Sequence, residues 1–122
     1  MNKNQQADPI ALGKVISSLD FQLPNDYLEF MQESNGAEGI LGNNYLVLWR
    51  IEDLINSNKD YNVDQYAPGF FIFGSNGGGT AYAMDKQTHV VVAFEFVGML
   101  VTDSPTILGS SFTNFLERLP RQ

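Results

Sequence analysis

Apolar residues change their spacing twice along this chain, and that change limits the folds open to it. Ile10, Leu12, Val15, Ile16 and Leu19 recur at near-helical intervals, as do Tyr27, Leu28, Phe30 and Met31. Across the middle, apolar residues gather instead into short runs such as Phe70, Phe71, Ile72 and Phe73, broken by glycine and asparagine. The helical i, i+3, i+4, i+7 pattern returns in Phe112, Phe115, Leu116 and Leu119. Helices, then strands with a short inserted helix, then a closing helix imply an α+β fold, mainly antiparallel sheet with helices packed against it.

Local chemistry sets the predicted boundaries. Asp8 and Pro9 suit the cap and first turn of one helix, and Pro24 with Asn25, Asp26 and Glu29 opens a second that ends at Asn35-Gly36. Residues 1–8 are expected as a flexible terminus. Gly42-Asn43-Asn44 is turn chemistry before a strand at 45–49; Ile51, Leu54 and Ile55 predict a short helix fading into a polar loop at 56–64. Residues 69–74 read as an interior strand, 75–79 as a break, and 80–84 with 89–96 as a hairpin closed by Asp85-Lys86-Gln87-Thr88. Ser110 or Ser111 can cap the final helix, and Pro120 stops it. The chain of 122 residues fits one domain, 1–122, with no room for a second.

A hydrophobic share of 43% with 17% charged residues is that of a packed globular protein. No cysteine is present, which excludes disulfides, thiolate metal sites and a thiol nucleophile, and suits a reducing cytoplasm. No apolar stretch approaches the roughly 20 residues that span a bilayer. The net charge of −7 opposes nucleic acid and anionic membranes and favours approach by a basic surface.

The motifs that could carry chemistry fall short of it. Gly74 to Thr80 has the glycines of a phosphate loop but lacks the lysine and leads into a strand, so these glycines are expected to serve a turn. Asn58, Asp60, Asn62 and Asp64 alternate like a calcium loop without its glycine or closing glutamate. His89, the one histidine, has no metal-ligand spacing around it, and no G-x-S-x-G elbow exists. Asp85 and Glu95 flank one hairpin and could act as an acid/base pair only across a cleft; ordinary surface charge is the expectation. No catalytic, cofactor or metal residue is therefore assigned.

Tyr45 and Trp49 share side-chain parity on their strand, with Trp49 expected in the core. Glu38, Glu52, Asp53, Asp60 and Asp64 surround this stretch, so Glu38, Tyr45, Glu52, Asp53, Asp60 and Asp64 form the expected partner-binding set.

Leu23-Pro24-Asn25-Asp26-Tyr27 running to Asn35-Gly36, the glycine-ended run at 70–79, Tyr82-Ala83-Met84-Asp85, and Ser111-Phe112 ahead of Leu116 together resemble the SUKH superfamily, from about Ile10 to Leu119. Many bacterial members are immunity proteins that bind and block toxins, frequently nucleases; fungal relatives are regulatory interaction proteins. The resemblance implies a non-catalytic protein-binding domain, an immunity protein that neutralises a toxin or else an intracellular regulatory scaffold of the same fold. The acidic charge adds the expectation of a basic toxin domain as partner, the lack of cysteine that of a cytoplasmic location, and a monomer is expected. Leu23, Pro24, Tyr27, Asn35, Gly36, Gly74, Gly79, Tyr82 and Asp85 carry over as structural positions, not as an active site.

Overall fold

Asp8 begins the first helix as its chemistry requires: the carboxylate accepts the Ile10 N–H at 3.1 Å, with Pro9 as the first helical residue. The computed structural model, which describes residues 2–97 and 105–121, continues this helix as α1 (Pro9–Ser18). It is preceded by β1 (Asn2–Lys3) and followed by α2 (Asn25–Glu33), β2 (Ala37–Leu41), β3 (Asn44–Leu48), α3 (Ile51–Asp60) and α4 (Val63–Tyr66). The chain then forms β4 (Phe70–Ser75), β5 (Thr80–Asp85), β6 (Val91–Glu95), β7 (Thr106–Gly109) and α5 (Phe112–Arg118), closing on a 3-10 turn. No helix among the described residues is long and apolar enough to cross a membrane.

The seven strands lie side by side in chain order, every neighbouring pair antiparallel. This is the expected α+β architecture. Alternation along the strands produces two apolar faces. One carries Leu46, Leu48, Phe71, Phe73, Tyr82, Met84 and Val91 and is covered by Leu12, Tyr27, Met31, Phe112 and Phe115 from α1, α2 and α5. The other carries Ile72, Ala81, Ala83, Val92 and Phe94 and is capped by Val63 of α4 with partial cover from Trp49, Tyr66 and Phe96.

Several elements depart from the sequence expectation. The first residues are tied down: Asn2 pairs with Glu38 and Lys3 with Ala37, Asn4 donates to Ser34 Oγ and to the Asn35 carbonyl, and Ala7 is buried. Met1 lies outside the described residues. β2 and β7 were not foreseen, because a five-residue strand reading Ala-Glu-Gly-Ile-Leu and a four-residue strand holding one glycine carry weak strand preference. The segment at 56–64, expected as a loop, is helical, with α3 running to Asp60 and α4 beginning at Val63 after the left-handed Asn62. Ile10 and Ile16, counted in the apolar spacing of α1, are exposed.

Helix α3 has a structural reason to be polar at Asn58. β3 pairs with β4 only at Val47↔Ser75 and Leu48↔Gly74, which leaves the first half of β4 without a strand on that side. Asn58 occupies the vacancy: its amide donates to the Ile72 carbonyl at 2.9 Å, and its oxygen accepts the Ile72 N–H at 2.8 Å. One side chain thus reproduces the paired bonds of a missing strand residue.

Close approach explains one glycine. A Cβ on Gly74 would press into the Val47 carbonyl oxygen across the β3–β4 ladder, so no larger residue fits there without parting the strands.

At the centre of the main core, Tyr27 packs edge-on against Phe73 and Phe112, with ring centroids 5.8 and 5.1 Å away, and its hydroxyl has no hydrogen-bond partner among the described residues. Burial pushes this phenol well above its ordinary range. Tyr27→Phe is therefore expected to raise unfolding free energy by about 1 kcal/mol at neutral pH, since it removes an unsatisfied polar atom. A folded-state pKa above the unfolded value means that stability is intact below about pH 10 and declines above it. The substitution should make that alkaline decline shallower. Urea unfolding at pH 7 and pH 11 checks both; a loss of stability at pH 7 would mean that the hydroxyl has a partner after all.

Candidate functional site

The six residues expected to bind a partner are distributed over three places rather than one continuous face. Glu38 and Tyr45 meet on the β2–β3 hairpin, where the Tyr45 hydroxyl donates to Glu38 Oε2 and this bond raises the phenol's pKa. The Tyr45 ring lies over Gly77, whose positive φ of 83° turns the β4–β5 loop beneath it. Any side chain at Gly77 would displace that ring.

Glu52 is held by the fold. Both of its carboxylate oxygens accept from the Asn35 amide, at 2.9 and 2.8 Å, while Asn35 Oδ1 accepts the Ile51 N–H at 2.7 Å and so caps α3. Arg50 Nε lies 3.5 Å from Glu52 as well. Asp53 and Asp60 are exposed, and seven residues of helical spacing place them on one side of α3.

Asp64 stands apart on α4, where it and Asp20 flank Lys86 at 3.4 and 3.0 Å, and the ammonium also sits 5.6 Å from the Phe21 ring. Asp20, Asp64, Phe70 and Lys86 border two adjoining grooves of about 530 and 710 Å³. With two carboxylates and a ring face already around it, Lys86 offers these grooves no uncompensated charge.

Trp49 is half-buried rather than enclosed in the core. It belongs to a set of three rings: Trp49 and Tyr61 are 6.4 Å apart with planes 14° from parallel, Trp49 and Phe96 6.4 Å and 15°, Tyr61 and Phe96 4.4 Å and 29°. Trp49 precedes α3 and Tyr61 follows it, so the two side chains reach toward each other along the helix. The alanines at 81 and 83 leave room over this face of the sheet. Tyr61 remains 42% exposed and Val97, next to Phe96 in the chain, 90%, which makes this an apolar rim with the exposed Asp60 next to Tyr61. Tyr61 and Phe96 were missing from the expected site; aromatic residues in a polar stretch and at a strand end were the only sequence trace of it.

The possible chemistry elsewhere does not assemble. Asp85 accepts the Gln87 and Thr88 N–H groups at 2.8 and 3.0 Å and so builds the β5–β6 turn. Glu95 lies opposite Thr80, whose hydroxyl it accepts at 3.0 Å. Asp85 lies five residue steps from Thr80, about 16 Å along β5 and on the opposite face, so the two carboxylates share no cleft. His89 sits in the turn with φ 65°, not at a strand head, and its Nε2 lies 2.8 Å from the Gln22 carbonyl, which obliges that nitrogen to carry its proton. The 75–79 segment is the expected turn: Asn76 Oδ1 accepts the Gly78 and Thr80 N–H groups at 2.9 and 3.2 Å. Asn58, the first residue of the calcium-like alternation, commits its amide to Ile72, and no cluster of three metal-ligating side chains occurs among the described residues.

Against models of protein families, residues 6–118 match the one described as SMI1 / KNR4 family (SUKH-1). No curated protein matches the chain.

Proposed function

From the premise that this chain belongs to the SMI1 / KNR4 family (SUKH-1), we propose that it is a non-catalytic binding domain acting as an immunity protein, which occupies and neutralises a basic toxin in the cytoplasm. Membership supports a toxin-immunity or related role, and members are generally immunity or regulatory domains without catalysis. The observation that carries the proposal is the Trp49–Tyr61–Phe96 rim, exposed at Tyr61 and adjoined by Asp60, on a chain of net charge −7. Aromatic residues supply contact area at low entropic cost, and acidic groups steer a basic partner and answer the cations with which a nuclease would hold phosphate. Asp60, next to Tyr61, is the carboxylate best placed for this work, and Asp53 lies on the same side of α3 as Asp60. Glu38 and Asp64 contribute to the outer field, Tyr45 offers ring surface beside Glu38, and Glu52 acts mainly through Asn35.

The direct test is co-expression with the product of the neighbouring gene, scored by survival and by co-purification as a stoichiometric complex. Affinity for that partner is expected to fall at least about tenfold between 50 mM and 0.5 M salt, where the screening length shrinks to about 4 Å. Salt-independent binding would remove the electrostatic account. Absence of protection together with a partner among the host's own proteins would identify a regulatory scaffold instead.

A further inference from the structure

Resting on the proposal of a basic protein partner, we infer that the outer face of Tyr61, backed by Phe96 and Trp49, is a seat for an arginine side chain of that partner. The geometry of the three rings leads there. Phe96 stacks on Tyr61 at 4.4 Å, and Trp49 lies 6.4 Å from both. If Trp49 and Phe96 covered opposite faces of Tyr61, their centroids would be much farther apart than this. Both rings therefore lie to one side of Tyr61 or at its edge, and among the described residues no third ring and no cation covers its other face, in keeping with its 42% exposure.

An open ring face that is held rigid by stacked neighbours attracts a cation through its quadrupole, and the attraction strengthens where apolar neighbours exclude water. The chain's own cations do not occupy it. Among the described residues, those placed over rings are Lys3 above Phe30 and Lys86 above Phe21, while Arg50 turns to Glu52. Lys59, two residues before Tyr61 in the last turn of α3, is exposed.

Asp60 adjoins Tyr61 in the chain and is exposed, so a carboxylate stands next to the seat. This combination selects arginine over lysine. A planar guanidinium can lie flat on the ring while its edge N–H groups reach a carboxylate, whereas an ammonium is a strongly hydrated point charge that gives up more solvation for the same contact. Net charge alone would make no such distinction.

The test uses the full chain and the fact that Trp49 is its one tryptophan, so its emission reports on the rim without a label. The probe is an end-blocked octapeptide alternating arginine and glycine, with a lysine–glycine peptide of equal charge as comparison, both titrated at low salt. The arginine peptide is expected to change Trp49 emission saturably and to bind about fivefold more tightly than the lysine peptide. Tyr61→Ala should weaken arginine-peptide binding about tenfold, Tyr61→Phe should retain it, and Asp60→Asn should weaken it severalfold. Glu117→Gln, which removes one exposed carboxylate from α5, should leave it within about twofold. Equal affinity for the two peptides, unchanged affinity in Tyr61→Ala, or no saturable change in emission would overturn the assignment. Peptide binding without protection in co-expression would count against the toxin and leave the arginine seat standing, and the reverse result would do the opposite.

Discussion

Replacing Asn58 with alanine is expected to lower the unfolding free energy by about 2–4 kcal/mol, although Asn58 lies on a helix that reads as solvated in sequence. Both hydrogen bonds to Ile72 would be lost, and Ile72 is fully buried, so its N–H and carbonyl would be left without partners where water cannot replace them. Asn58→Asp separates the two halves of the amide. It keeps an acceptor for the Ile72 N–H but sets a carboxylate against the Ile72 carbonyl, so it should be at least as damaging at pH 7. That carboxyl would be harder to ionise in the folded state than in the unfolded chain. Part of the stability should therefore return as pH falls from 7 through the raised folded-state value toward about 4, where protonation restores a donor, with no further gain below that. Urea midpoints at pH 7 and pH 4 decide the matter. An Asn58→Ala protein within about 0.5 kcal/mol of the parent would show that β4 does not depend on this amide.

Phe73→Ala is expected to cost about 3–5 kcal/mol, a large part of the 5–15 kcal/mol that holds an ordinary domain together. Phe73 is fully buried and lies 5.8, 5.7 and 5.8 Å from the rings of Tyr27, Phe112 and Phe115, so it joins the sheet to α2 and α5 at once. Three surrounding rings cannot close on the vacated space without abandoning their own edge-to-face contacts, which is why the cost belongs at the upper end for a large-to-small change. Phe73→Leu should recover more than half of the loss. Calorimetry or chemical denaturation would show it, and equal destabilisation by the two substitutions would mean that ring geometry rather than volume governs the site.

What could be read from the sequence, and what could not, follows from how far apart the cooperating residues lie. Pro24 with Asn25 and Asp26 opens α2, Ser111 caps α5 through the Asn114 N–H, and Asp85 organises the β5–β6 turn; each acts within a few residues of itself. β1 and β7 depend instead on partners elsewhere, since Asn2 and Lys3 become a strand only because Glu38 and Ala37 lie beside them. Polarity at 56–64 reads as a loop because a residue such as Asn58 looks soluble until Ile72 is placed against it. The same rule governs the candidate site. Acidic character between Glu38 and Asp64 was visible in the chain, but Trp49, Tyr61 and Phe96 come from the end of β3, the end of α3 and the end of β6, and only folding makes them one surface.

Because each strand pairs with the one that follows it, most of the sheet can assemble without first searching for a distant segment. The β4–β5 and β5–β6 hairpins close over short turns, whereas joining β3 to β4 requires the stretch containing α3 and α4 to be brought back, with Asn58 to be seated on the way. Closing a loop costs more entropy as it lengthens, and local pairings reward the chain earliest. Strands β4, β5 and β6 are thus placed to form the folding nucleus, and β1, which must find Ala37 and Glu38 across two helices, to dock last.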